Sequence, residues 1–298
     1  MTILPKILIA LVLVGLAFLF THRALPWLTV RIGRALGFRM EMNPLTQRRV
    51  QKFRTISRGY WSFVFITTGF VLSLFLEITV NRLPLYISYE NDEGQVTRQF
   101  PAFADWADTL VPFVSVTSVA RADRYGLRGD AEVPYRVYAR WVHDPENLEA
   151  DAAKIEAAIV EDENRFRDKM AEVSEQRGTT YDRQLPLPEF KVEEQQNRQD
   201  YAAFLRSLRP KFEAGRATVV MPLYPFNAAE QILDEYEGSP PHPGFRKGYP
   251  LLGTDFEGKD SLAQILYGFR LSFAFAIVVS LIGYTIGICV GAIMGYFG

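Results

Sequence analysis

Within these 298 residues, the one spacing built like a chemical site is Gly253, Gly258 and Lys259, the G-x-x-x-x-G-K frame of a phosphate-binding loop. Such a loop cradles phosphates with backbone N–H groups and needs a Ser or Thr after the lysine to hold Mg2+. Here Asp260 follows, which would set a carboxylate against the phosphates, and no buried strand leads into the loop. The stretch is read as a turn and not as a nucleotide site. The three histidines, His22, His143 and His242, stand far apart, none at the spacing of metal ligands. There is no G-x-S-x-G and no H-E-x-x-H, so no catalytic, cofactor or metal residue is assigned. The one cysteine, Cys289, rules out an internal disulfide and is read as a small packing residue within an apolar run.

The elements of the chain are set by hydrophobicity. A composition of 48% hydrophobic and 22% charged residues is that of a soluble protein of one or two domains, but the apolar residues are concentrated in three blocks. The last of them, residues 271–298, carries no formal charge. A hydrocarbon core of about 30 Å needs roughly 20 apolar residues, and unpaired backbone groups inside it force a helix. Residues 271–298 are therefore read as a membrane span. Gly283, Gly287, Gly291 and Gly295 recur along it at constant spacing, on one helical stripe. Lipid supplies no hydrophobic drive between helices, so such a stripe is where a partner helix packs closely. The plainer reading is that glycine is common in membrane helices; the constant spacing favours close packing.

Residues 3–20 form another block, with only Lys6 charged. It is longer than the apolar part of a secretion signal and no small-x-small cleavage site follows, so it is expected to be a retained span, residues 1–20. Residues 61–80, with only Glu77 charged, form the third. Between these two, residues 21–60 carry nine Lys or Arg against one acid, Glu41, which places them in the cytoplasm by the positive-inside rule. Residues 81–270 then lie outside, with 32 acids and 23 bases, and the last span returns inward. Anionic inner-leaflet lipid accounts for the basic segment without nucleic acid. Residues 47–59 are read as lying along the membrane surface, with Tyr60 and Trp61 marking its boundary, the other reading being a solvated basic linker. Glu77, near the outer end of its span, is read as an interfacial carboxylate reaching headgroups, the other reading being a functional carboxylate in lipid.

Just before the last span, Asp260 and Ser261 are natural N-caps, and Ser261 with Gln264 fits a capping box. Leu262, Ile265, Leu266 and Phe269 follow at helical spacing, so residues 261–270 are expected to form a short helix in the headgroup region, the other reading being an ordinary extension of the span that follows. The outer insert, residues 81–260, begins with a hairpin: residues 85–89, a turn at 92–94, then residues 96–100. Residues 135–142 alternate aromatic or aliphatic with basic residues and are a further strand candidate, whereas residues 145–177 and 193–214 carry helical stripes. The fold class expected is an α-helical integral membrane protein with a mixed α+β extracytoplasmic insert.

Residues 250–268, PLLGTDFEGKDSLAQILYG, resemble the L-G-T-D-x-x-G-[RK]-D-x-[LF]-[SA]-[RQ]-[IL]-[IL]-Y-G signature of permease subunits in ABC importers of the dipeptide and oligopeptide class. Residues 269–272 (FRLS) and 290–298 (VGAIMGYFG) continue it, matching that family's Y-G-x-R-x-S and G-x-x-x-G-Y-x-G. Residues 43–77 resemble the basic segment and first span of the same family, in the R-R-G-Y-W-S variant of the microcin C or peptide uptake permease. The resemblance covers about 85 residues at the two ends of the chain. It marks Gly253, Thr254, Asp255, Gly258, Lys259, Asp260, Tyr267, Gly268 and Arg270 as family-motif positions, expected to shape the outer approach to the last span more than to touch substrate.

The resemblance implies a helical, multi-pass permease of the bacterial inner membrane, built like those of type I ABC importers. It pairs with a second, homologous permease subunit and with two cytoplasmic ABC ATPases, and takes its substrate from an extracytoplasmic substrate-binding protein. The permease itself would be no enzyme, since ATP is hydrolysed on the partner subunits. Three departures stand out: the extra first span, the long insert, and the lack of the family's remaining spans and its E-A-A loop, so that the chain is expected to be truncated at its C-terminus. Two other classes stay open. A membrane-anchored extracytoplasmic binding or assembly protein would use the insert without transport activity, and an anchored enzyme would need a convergent polar pocket that the sequence does not display.

Overall fold

The computed structural model describes residues 3–35, 44–110, 120–233, 236, 238–246 and 249–298. Arg39, Glu41 and Asn43 of the basic segment fall outside them. In chain order the elements are α1 (Ile3–Leu19), a π-helical turn (Phe20–Ala24), α2 (Leu25–Ala35), α3 (Pro44–Thr55), α4 (Ser57–Ser73), α5 (Leu76–Thr79), β1 (Tyr86–Glu90), β2 (Val96–Gln99), α6 (Pro101–Leu110), a 3-10 turn (Ala122–Tyr125), α7 (Tyr135–His143), α8 (Glu146–Gln176), α9 (Glu189–Glu213), β3 (Ala217–Val220) and α10 (Ser261–Phe297). The protein is mostly helical with one small sheet, and it falls into two compact units. The first is Met1–Arg82, Asp105–Pro112 and Pro222–Gly298; the second is Leu83–Ala104 and Phe113–Met221.

In the first unit α1 runs through the π-helical turn into α2 and packs on α4. Thr21, in that turn, donates its hydroxyl to the Ala17 carbonyl at 2.8 Å, satisfying a polar group that would otherwise face apolar surroundings. Phe18 and His22 stack on Trp61 at centroid distances of 6.1 and 6.3 Å, gathering aromatic rings where the sequence places a membrane boundary. Residues 61–80 do not form the single helix expected of a span. The α-helix ends at Ser73, a turn at Leu74 and Phe75 intervenes, and α5 is four residues long. Among the described residues two helices are long and apolar enough to cross a membrane, Pro5–Ala24 and Ser261–Phe297.

The helix α10 is continuous over 37 residues, about 55 Å at 1.5 Å per residue. No separate interfacial helix exists at residues 261–270; the backbone hydrogen bonds run unbroken from the cap into the apolar segment, because nothing in that stretch interrupts the i to i−4 ladder. Gly69 on α4 is what lets α10 approach: a Cβ there would come 3.3 Å from the Phe269 ring. One turn on, Phe70 meets Phe273 at 4.6 Å between centroids.

The second unit has its own core. Its sheet has the order β2-β1-β3, antiparallel throughout, with Ser88 opposite Arg98 on one side and Thr218 on the other. The expected hairpin forms between β1 and β2: the Asn91 side chain accepts from the backbone N–H of Glu93 and Gln95, and Gly94 takes the left-handed conformation the turn requires. Residues 135–142, expected as a strand, are helix α7. Tyr135, Tyr138, Ala139 and Trp141 are its buried residues, a helical spacing that an alternating aromatic and basic sequence imitates. Tyr138 donates its hydroxyl to the Tyr125 carbonyl, and Ile87, Leu148, Leu205, Leu208 and Val219 close the core around it. Helices α8 and α9 pack along each other; at residues 162 and 198 an ion pair of 2.6 Å crosses between them.

Candidate functional site

Most of the residues picked out between 253 and 270 meet in a loop before α10 and in a contact along its first turns. The loop before α10 turns at Gly253 and Gly258, with φ of 76° and 79°. Gly253 is confined further, since a Cβ would lie 2.3 Å from the His242 carbonyl oxygen. Thr254 sews that same neighbour down: its N–H donates to the His242 carbonyl at 3.1 Å, and its hydroxyl accepts from the His242 N–H at 2.8 Å. Asp255 collects three donors, the N–H groups of Glu257 and Lys259 at 2.9 and 2.8 Å and the Gln264 amide at 2.6 Å. Against a partial burial that would raise it, those bonds hold the Asp255 carboxyl below the usual range.

Asp260 is the N-cap of α10, accepting from the Ala263 N–H at 2.5 Å. Its other oxygen accepts from the Tyr224 hydroxyl at 2.6 Å, and that hydroxyl in turn accepts from the Leu251 N–H at 3.0 Å. Burial, with the bond to Asp260, pushes the Tyr224 phenol well above its ordinary value. The expected capping box therefore does not form. Ser261 lies inside the helix, and Gln264 turns away to Asp255, which offers it a charged acceptor. Lys259 pairs with Glu257 at the surface and faces no phosphate cradle.

Two turns into α10, the assembly becomes a buried clamp. Arg270 donates to the Glu77 carboxylate at 2.6 Å and lies 5.0 Å above the Tyr267 ring, while the Tyr267 hydroxyl donates to the Val80 carbonyl at 2.8 Å. Glu77 is 2% exposed, so the reading of an interfacial carboxylate reaching headgroups is overturned. A charge withdrawn this far from solvent is stable only with a partner of opposite sign, and Arg270 is that partner. Thr109 donates to the same Glu77 oxygen at 3.3 Å. Asn81, fully buried, donates to the Glu77 carbonyl at 3.1 Å and to the Asp105 carboxylate at 2.7 Å. The Trp106 ring N–H donates to the Leu74 carbonyl at 2.8 Å, closing the end of α6 over the break between α4 and α5.

Of the residues picked out from sequence, Gly253, Thr254, Asp255, Gly258, Lys259 and Asp260 share the loop, and Tyr267 and Arg270 share the clamp. Gly268, Gly283, Gly287, Gly291 and Gly295 have open space around them, with nothing within 4 Å of a Cβ. Sequence reading missed Tyr224, Asn81, Asp105 and Thr109. Its one available signal was that Glu77 and Arg270 are lone, opposite charges bordering two apolar runs. No group of three metal-ligating side chains occurs among the described residues. What the assembly can do is mechanical: it fixes the start of α10 and binds it to α5 and α6.

Two permeases match part of the chain. It is 43% identical over 58 residues to the inner membrane ABC transporter permease protein YejE of Escherichia coli (strain K12), covering 20% of this chain and 16% of that protein. It is likewise 43% identical over 47 residues to the peptidoglycan transport system permease protein YejE of Agrobacterium fabrum (strain C58), covering 16% of this chain and 12% of that protein. The matched part is thus under a fifth of either relative's length. No protein family model matches the chain, and no solved structure matches it.

Proposed function

We propose that this chain is a permease subunit of an ABC transporter that imports peptides or peptide-like compounds across the bacterial inner membrane. In this reading substrate moves by alternating access, powered by two separate cytoplasmic ATPases, and a second homologous permease completes the pathway. Residues 21–60 face the cytoplasm and residues 81–270 face outward, where an extracytoplasmic binding protein delivers the substrate. The observation that supports it most directly is that the motif residues of the resemblance act together: they cap α10 through Asp260 and clamp it through Arg270 and Glu77. A permease helix that rocks as a rigid body needs its outer end fixed to its neighbours, which is what the loop and clamp provide. The partial identity to two named permeases supports the same class.

The test is purification of the tagged protein from its own membranes, together with uptake of labelled oligopeptides and peptidoglycan fragments in a deletion strain. A transporter subunit brings down ATPase subunits and a second permease, and its deletion lowers uptake of one of those substrate classes. A chain recovered without either partner, with uptake of both classes intact, overturns the proposal in favour of a membrane-anchored extracytoplasmic binding or assembly protein. The observation favouring that second reading is that the second unit closes a hydrophobic core of its own.

A further inference from the structure

We propose that the groove along α8 and α9 docks a cationic amphipathic helix of a second protein. The groove has a volume of about 600 Å3. On α9, Phe190, Glu194, Asn197 and Tyr201 line it at spacings that form one stripe of a helix surface, and Ile155 and Ala158 of α8 complete the lining. Phe190 and Tyr201, 61% and 40% exposed, stand at the two ends of the stripe. Eleven residues at 1.5 Å each set them about 16 Å apart, three turns of a helix.

Backbone hydrogen bonding selects the form of the occupant. The walls are helices whose main-chain groups are paired within α8 and α9, so the groove offers side chains alone. An extended segment laid there would bury unpaired N–H and C=O groups, whereas a helix brings its own ladder of bonds. Phe190, Ile155, Ala158 and Tyr201 receive the apolar stripe of such a helix, the two exposed aromatic rings acting as its anchors.

Charge selects the sign of its flanks. Arg198, the groove's cation, is taken by Asp162 and Glu194 at 2.6 and 2.7 Å, and Glu194 also accepts from Lys191 at 2.8 Å. Glu193, on the groove wall, is exposed and has no partner among the described residues. Together α8 and α9 carry 15 Asp or Glu against 9 Lys or Arg. A second copy of this chain would bring the same acidic surface against this one and be repelled, whereas Lys and Arg beside the apolar stripe of a partner helix are attracted. Such docking serves a transporter subunit and an anchored binding protein alike.

The experiment replaces Asn197, in the middle of the α9 stripe, with the photocrosslinker p-benzoylphenylalanine in the full chain in its own membranes, and sequences the crosslinked segment by mass spectrometry. The expected product is an adduct with a different protein, through a segment whose apolar residues recur at helical spacing and whose flanks are rich in Lys and Arg. Its yield falls severalfold in Glu193→Lys, in Phe190→Ser and at high salt. It is kept in Glu172→Lys, the same change of charge on α8 outside the groove lining. No protein adduct, an adduct to lipid or to a second copy of this chain, a segment that is acidic or lacks the helical stripe, or equal yields in Glu193→Lys and Glu172→Lys overturns the proposal. Phe190, Glu193 and Glu172 are all exposed, so these variants leave the core of the second unit intact. Uptake is measured apart from the crosslink, so failure here leaves the permease reading standing.

Discussion

Glu77 and Arg270 show how a single pair decides a local structure. Each alone would be an uncompensated charge in a buried place, and removing one partner of such a pair costs about 3–5 kcal/mol. Glu77→Ala and Arg270→Ala are each expected to destabilise the first unit by that amount in denaturant melts of the detergent-solubilised chain. Glu77→Leu combined with Arg270→Leu recovers most of it, and a double variant as weak as the sum of the singles would refute the clamp. The glycines separate two effects in the same way. Gly94 and Gly253 both have left-handed backbones, at φ 78° and 76°, but only Gly253 is walled in by the His242 carbonyl. Gly94→Ala should cost about 1–2 kcal/mol, the ordinary left-handed penalty, and Gly253→Ala measurably more in the same melts. Equal losses would show that the close approach at residue 253 is relieved at no cost.

At the scale of elements, α9 carries adjacent residues of opposite importance. Leu205 is 1% exposed in the core of the second unit, whereas its neighbour Arg206 forks to Glu149 and Glu156 at the surface, at 3.0 and 2.6 Å. Leu205→Ala is expected to cost about 2–5 kcal/mol, from lost burial and the cavity left behind. Arg206→Ala should leave stability nearly unchanged, with any small loss vanishing at high salt, because exposed ion pairs are screened. Circular dichroism melts of the full chain compare the two, and a larger loss for Arg206→Ala would reverse the assignment. The helix α7 shows where local pattern misled: aromatic and basic residues alternate along residues 135–142, yet Tyr138 and Trp141 are buried as a helix requires. Their polar ends are satisfied by the Tyr125 carbonyl and by Asp151, partners lying 13 and 10 residues away.

At the scale of the whole molecule, the question is what meets the exposed length of α10. In the permease reading the stripe of Gly283, Gly287, Gly291 and Gly295 receives a helix of the partner permease. Gly287→Leu is then expected to reduce recovery of that partner from solubilised membranes severalfold while leaving this chain's own expression intact. Unchanged copurification would remove the glycine stripe from the interface. The clamp variants address a different quantity, the setting of α10 against α5, so the two sets of results can be read apart.

The sequence by itself determined the features that depend on near neighbours along the chain. These are the uncharged length of residues 271–298, the turn chemistry of the β1 to β2 hairpin, Asp260 as an N-cap, and a loop that imitates a phosphate site while lacking its Ser or Thr. Tertiary structure alone decided that Glu77 is buried against Arg270, 193 residues away, and that Asn81 and Asp105 join them. It also decided that Gln264 serves Asp255 in place of a capping box, and that the helix of residues 57–73 stops short of Glu77. The physical reason is the same in each case. A charged or polar side chain has several acceptable partners when only its neighbours in sequence are considered, and burial removes all but those that the packed helices bring within hydrogen-bonding reach.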